Sequence, residues 1–315
     1  MRIRLILTLV IVMSLVGVLY PQDRNAQRDG NVIVDVVNVP LMVSVADNKG
    51  KAITNLKKED FKVYEDDQLQ SVRGFTKDTD LPLSIALLVD ASGSIVDKLK
   101  FEQAAATDFF FNTIKRKKDR AIVISFDSIA SIMSDFTTDG FTDEPERLAD
   151  AVKRIQAGGG TAVYDAVYAA TKSKLALEQG ERRRLIILIS DGEDTASRFS
   201  LTEALEMAQR NNVTVYAIST NKTSDTRSRE KVKGDEVIQQ MVDETGGKAY
   251  FPLKVDDLAS DFQKIGDELR SQYVLSYAPT NPVLDGSYRK VKVEMVDKKY
   301  KARTRQGYFA VKNTR

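Results

Sequence analysis

Four runs constrain what this chain can fold into. Leu83–Val89, Ala121–Phe126, Leu185–Ser190 and Val213–Ser219 are apolar along nearly their whole length, not at alternate positions. A strand without a polar face must be covered on both sides. That is the condition of a parallel sheet held between two layers of helices. Helical stretches at about 98–116, 144–156, 162–179, 201–211, 235–245 and 256–270 separate the runs, and a weaker strand is expected at Lys248–Phe251. The expected fold class is α/β, with a doubly wound, mostly parallel sheet.

The pattern changes on either side of this core. Residues 27–79 read as a β-rich segment after a polar linker at 21–31: a β-branched run from Val32, Leu41–Ala46, a turn at Asp47-Asn48-Lys49-Gly50, Phe61–Tyr64, a turn at Glu65-Asp66-Asp67, and Gln70–Phe75. Residues 271–315 return to β, with Gln272–Tyr277, Tyr288–Val296, a turn at Lys298-Lys299 and a strand over Tyr300–Tyr308. The expectation is one small β-sandwich built from both chain ends, with the α/β part at 80–270 inserted; two separate sheets are the alternative. The polar stretch Asn221–Glu236 reads as a solvated loop.

The first 26 residues read as an export signal. Arg2 and Arg4 precede a charge-free stretch from Leu5 to Tyr20, shorter than the about 20 apolar residues of a full membrane span. No small-x-small cleavage site follows clearly, so signal peptide and uncleaved N-terminal anchor both stand. The expected location is periplasmic, secreted or cell-surface.

Composition narrows the chemistry. The chain has no His and no Cys, so His- or Cys-based nucleophiles, zinc sites, haem ligands and disulfides are excluded. Any metal must be held by oxygen. With 47 Lys+Arg against 45 Asp+Glu, the chain also lacks the basic excess of a general nucleic-acid binder.

Three loops carry the candidate chemistry: Asp90-Ala91-Ser92-Gly93-Ser94 after the first apolar run, Gly158-Gly159-Gly160-Thr161 before a helix, and Asp191-Gly192-Glu193-Asp194 after the third run. Ligands of open parallel sheets bind at the carboxyl ends of strands, where strand order reverses. Asp90, Ser92, Ser94, Thr161 and Asp191 supply two carboxylates and three hydroxyls, a set matched to Mg2+ or Mn2+. Asp90 and Asp191 could instead be helix caps, and the glycines could cradle a phosphate, but no P-loop lysine follows them. Asp127 and Asp165 could orient hydroxyls or be plain loop charges. Glu193, Asp194 and the basic clusters Lys115–Lys118 and Arg182–Arg184 read as solvated, and Phe109-Phe110-Phe111 as a core-facing helix patch.

Residues 82–270 resemble a von Willebrand factor A domain, with Asp90-x-Ser92-x-Ser94, Thr161 and Asp191 matching its metal-ion-dependent adhesion site. The resemblance implies a divalent cation with one open position, filled by an Asp or Glu carboxylate of a protein partner. It also implies that the last helix of the domain can shift with metal occupancy. Asn55-Leu56-x-x-Glu59-Asp60-Phe61-x-Val63-Tyr64-Glu65-Asp66, Leu269-Arg270-x-Gln272-Tyr273-Val274-Leu275-x-Tyr277, Tyr288-Arg289-Lys290 and Gly307-Tyr308-Phe309 resemble a bacterial family of exported "von Willebrand factor A-related" proteins. The expected function is therefore an exported, metal-dependent adhesion module. It is not expected to be an enzyme, to bind nucleic acid, or to meet a membrane except through the N-terminal segment. The alternative is a scaffold subunit that binds through its β region, the metal only stabilising the fold.

Overall fold

The computed structural model describes residues 38–77, 81–134, 137–221, 229–254 and 257–311. The expected export segment at 1–26 and the start of the first β run at Val32 lie outside the described residues.

The chain opens with four strands, β1 (Val39–Asp47), β2 (Phe61–Glu65), β3 (Gln68–Gln70) and β4 (Val72–Thr76). It then alternates: β5 (Leu83–Asp90), α1 (Leu99–Thr113), β6 (Arg120–Phe126), β7 (Ala130–Ile132), α2 (Pro145–Lys153), α3 (Val163–Ser173), β8 (Arg183–Ser190), α4 (Leu201–Arg210), β9 (Val213–Ser219), α5 (Arg229–Thr245), β10 (Ala249–Tyr250) and α6 (Asp257–Leu269). Four more strands close it: β11 (Tyr273–Tyr277), β12 (Tyr288–Met295), β13 (Tyr300–Arg303) and β14 (Gly307–Phe309).

The central sheet has the order β10-β9-β8-β5-β6-β7, parallel throughout except for the short edge strand β7. Every residue of β5 is buried, as its two-faced apolar run requires. Leu83, Ile85, Leu87 and Val89 pack with Phe109 and Phe110 of α1, Leu148 and Val152 of α2, and Phe262 and Ile265 of α6. Ala86 and Leu88 face the other way, toward Val163 and Val167 of α3, Leu205 of α4 and Met241 of α5. Of the expected aromatic helix patch, Phe111 points to solvent instead.

The terminal strands form two antiparallel sheets, β13-β1-β11-β4 and β14-β12-β2-β3, each mixing strands from both chain ends. They share one apolar core that includes Leu41, Val43, Val63, Leu275 and Val293. Two expected strands turn out to be divided. Gln70–Phe75 breaks at Ser71, with β3 in one sheet and β4 in the other, and Tyr300–Tyr308 breaks likewise between β13 and β14. A continuous strand can pair in only one layer, so a chain that serves both layers must leave the ladder between them. The turn between β2 and β3 has positive φ at both Asp66 and Asp67, the twist a tight hairpin needs.

The sandwich motifs converge on one buried polar cluster. Glu65 pairs with Arg289 at 3.3 Å and accepts the hydroxyls of Tyr277 at 2.6 Å and Tyr308 at 2.9 Å. Burying an acid and a base is tolerated because each finds its counter-charge and hydrogen bonds.

Two expectations are corrected, and one element is added. Asn221–Glu236 is not a loop throughout, since α5 begins at Arg229 and Gly234 lies inside it; its residues 222–228 lie outside the described residues. The Arg182–Arg184 cluster is not a solvated face. Arg183 is 6% exposed and donates to the Leu269 carbonyl and Gln272 Oε1, while Arg182 and Arg184 donate to the carbonyls of Lys118 and Glu178 at 2.7 Å each. The start of β8 lies against the end of α6, so these guanidiniums are spent on backbone carbonyls and not left to solvent. The edge strand β7 was not expected, being three residues long.

Glu268, near the end of α6, ties the α/β part to the sandwich. It accepts from Ser44 of β1 at 2.9 Å, from Tyr216 of β9 at 2.8 Å, and from Arg303 of β13. Burial pushes its carboxyl upward, but the Arg303 charge and the three hydrogen bonds outweigh it and hold Glu268 below the usual glutamate range. Glu268→Gln leaves Arg303 without its counter-charge. The pair retains some solvent contact, so the expected loss is about 2 kcal/mol, less than for a fully buried pair, read from urea unfolding. Because the folded value is depressed, this contribution is full above the ordinary glutamate value of about 4.3. It is lost as pH falls through the folded value, so the wild-type and variant curves should converge in acid.

Candidate metal centre

The sheet order sets where a site can form. From β5 the chain winds outward to β6 on one side, then crosses to β8 and winds outward to β9 and β10 on the other. Beside β5 and β8 the winding direction reverses, and the connections leave in opposite directions. A crevice remains at the carboxyl ends of these two strands. Asp90 is the last residue of β5, and Asp191 directly follows β8.

Asp90 is fully buried at the base of the crevice. Its Oδ1 accepts the Ser92 backbone N–H at 2.9 Å, and its Oδ2 accepts the Ser190 hydroxyl at 2.7 Å. Ser92 Oγ lies 3.0 Å from Ser94 Oγ, and the Ser94 hydroxyl donates to Asp191 Oδ2 at 3.2 Å. Asp191 Oδ1 accepts the Glu193 N–H at 3.1 Å. Both aspartates thus bond the amide two residues on, the local habit of Asp in a turn, rather than capping an α-helix. Ser94, at the rim, is exposed.

The structure links Asp90, Ser92, Ser94 and Asp191 by side-chain and backbone hydrogen bonds. Thr161 is brought alongside by backbone. Gly158 N–H donates to the Ala91 carbonyl at 2.7 Å, and Gly93 N–H to the Gly159 carbonyl at 3.4 Å, so the glycine loop lies on the Asp90 loop. Thr161 is held from the Asp191 side too: its carbonyl accepts the amides of Thr195 at 2.8 Å and Ala196 at 3.0 Å.

Among the neighbouring acids, Asp194 is not a solvated charge. It accepts the Tyr164 N–H at 3.2 Å and the Ser197 hydroxyl at 2.6 Å, so it closes the first turn of α3. Asp165 Oδ1 holds the amides of Arg198 and Phe199 at 2.9 Å each. Asp127 bonds the Ile129 amide at 2.9 Å and lies against Gly159. These three acids shape loops.

Sequence reasoning missed Ser190, Gly234 and Glu102. Ser190 could have been noticed as a hydroxyl ending an apolar strand just before Asp191. Gly234 had no local signal. Its significance is contact: a Cβ at Gly192 would lie 2.2 Å from the Gly234 carbonyl oxygen, and one at Gly234 would lie 2.2 Å from the Asp191 carbonyl oxygen. Helix α5 therefore rests on the Asp191 loop at van der Waals range, and the Asn221 side chain donates to the Asp191 carbonyl at 2.8 Å. Glu102 is an acid on the buried face of α1.

The donors present fit a hard divalent cation. They are all oxygen, and two carboxylates of like charge share one hydroxyl-bridged group. Burial pushes the Asp90 carboxyl up to about 6; bonds from Ser190 and Ser92 lower it, and the Asp191 charge raises it. Among the described residues no cluster of three or more Asp or Glu side chains is gathered for a metal, so a cation here depends on hydroxyls as well as carboxylates. Gly234→Ala is expected to push the Asp191 loop away from α5 and to weaken Mn2+ binding about tenfold, by the logic that supporting contacts hold ligands in place. Calorimetry beside a thermal melt checks this.

Comparison with known proteins agrees with the fold. The family model for the von Willebrand factor type A domain matches residues 84–267, more than half of the chain. A calcium-activated chloride channel regulator 1 of Bos taurus is 24% identical over 184 residues, covering 58% of this chain but 19% of that protein. The chain thus spans about a fifth of the length of that relative. Among solved structures, a von Willebrand factor type A protein from Catenulispora acidiphila superposes with TM-score 0.51 at 14% identity, covering 86% of this chain and 74% of the other. Proximal thread matrix protein 1 of the mussel byssus, with a zinc-occupied MIDAS motif, gives TM-score 0.51 at 15% identity over 64% of this chain and 48% of its own. With the doubly wound sheet and the family match over β5 to α6, this chain belongs to the von Willebrand factor type A domain family.

Proposed function

We propose that the chain is an exported, metal-dependent protein-binding module. Asp90, Ser92, Ser94, Thr161 and Asp191 hold Mg2+ or Mn2+, some directly and some through water. The cation supplies the positive charge that receives an Asp or Glu carboxylate from a protein partner. The observation that carries this reading is the hydroxyl-bridged pairing of Asp90 with Asp191 at the switch point of the sheet. Two like charges are gathered there, and among the described residues neutral hydroxyls and amides link them. The zinc in the mussel protein's motif supports a divalent cation at the matching position.

Binding rather than catalysis is the better fit. Both oxygens of Asp90 already accept hydrogen bonds, from the Ser92 amide and the Ser190 hydroxyl, which leaves that carboxylate poorly placed to take a proton from a metal-bound water. Export rests on the N-terminal segment, read as a signal peptide or anchor. Among the described residues no helix is long and apolar enough to cross a membrane.

The test is calorimetric titration of MgCl2 and MnCl2 into the purified full chain, with Asp90→Ala alongside. Saturable binding at one site is expected, lost in Asp90→Ala. Pull-downs should then retain partners in Mg2+ and release them in EDTA. A wild-type chain that takes up neither ion would end this reading.

A further inference from the structure

Helix α1 follows the Asp90–Ser94 loop and turns a buried stripe toward the sheet: Glu102, Ala105, Ala106, Phe109, Phe110 and Thr113. Five of these six are apolar or nearly so. The sixth is a carboxylic acid in the first turn, at the position nearest the metal loop. Glu102 is 1% exposed. Among the described residues neither of its carboxylate oxygens has a hydrogen-bond partner, and both are sealed from bulk water.

That arrangement needs a physical account. A buried carboxylate without donors is among the costliest groups a core can hold. The charges acting on it are Asp90 and Asp191, which repel it, and Lys98, one helical turn earlier, which attracts it. Lys98 is already engaged, its Nζ donating to the Thr220 carbonyl. Glu102 thus lies in the field of both site carboxylates, beside a cation-binding crevice, with acceptors and no donor.

We propose that Glu102 is a further carboxylate of the metal centre, holding from the helix side a water that belongs to the cation's shell. A metal-bound water is the donor its oxygens lack, and a divalent ion is the charge its surroundings lack. Carboxylates that grip metal-bound water or metal ligands typically change affinity by 10- to 100-fold when removed. Burial, with the Asp90 charge second, pushes the Glu102 carboxyl up to about 8, so without a cation it carries a proton at neutral pH, and a divalent ion beside it favours the carboxylate. The inference rests on the reading of Asp90–Asp191 as a metal site and adds to it a residue outside the Asp-x-Ser-x-Ser, Thr and Asp positions.

The experiment compares wild type, Glu102→Gln and Glu102→Met as full chains. Mn2+ and Mg2+ binding are read by calorimetry, and thermal melts are recorded in EDTA and in Mn2+. Removing a buried acid without donors relieves the metal-free protein while weakening the metal site. Both variants are therefore expected to bind Mn2+ about tenfold or more weakly, with melting temperatures in EDTA equal to or above wild type. A structural role would move both readouts the same way. Wild-type affinity in Glu102→Gln overturns the inference and leaves the metal site standing. Weaker binding accompanied in both variants by a lowered melting temperature in EDTA also overturns it. A wild-type chain that binds no ion overturns both readings together.

Discussion

Much of this structure depends on the need to cover β5 on both faces. Its eight residues are all buried, so helices must lie above and below it. Helices on both sides require the chain to wind outward one way, return, and wind outward the other way. That return places the ends of β5 and β8 side by side at the switch in strand order. The crevice over Asp90 is thus a by-product of burying Leu87 and Leu88 on opposite faces.

The same topology concentrates charge where water is scarce. Asp90 lies on the floor of the crevice, with Asp191 beside it and Glu102 behind it on α1. Elsewhere in the molecule, buried charges come with partners: Glu65 with Arg289, Glu268 with Arg303, Asp119 with Arg270. The contrast is informative. Away from the site, buried acids among the described residues are matched by a cation, a guanidinium for Glu65 and Asp119 and the Lys264 ammonium for Asp261. At the carboxyl ends of β5 and β8, Asp90 and Asp191 are held instead by hydroxyls and amides.

The α/β part is also not suspended freely from the sandwich. Glu268 of α6 is gripped at once by β1, β9 and β13, and Arg183 bonds the last carbonyl of α6. The end of the helix that leads into the β tail is therefore clamped by both parts, which makes the seam a structural joint and not a simple linker.

Much of this was legible in the chain. Residue-by-residue apolarity gave away the parallel sheet, and β-branched alternation gave away the terminal strands. The spacing of Asp90, Ser92, Ser94, Thr161 and Asp191 marked the loops that the structure brings to one crevice. What escaped notice was non-local. Ser71 and residues 304–306 show no break until two sheets compete for one strand. Arg182–Arg184 look like surface charge until the layer that covers them is present. Asp194 looks solvated until the first turn of α3 is found above it.

The sequence by itself determined the fold class and the all-oxygen character of any metal chemistry, because periodicity and residue type are local properties. Tertiary structure decided which oxygens meet, that Gly234 presses on Asp191, and that Glu102 is sealed in without a donor. Those depend on residues about 10 to 100 positions apart, and only the packing of helices onto both faces of the sheet brings them together.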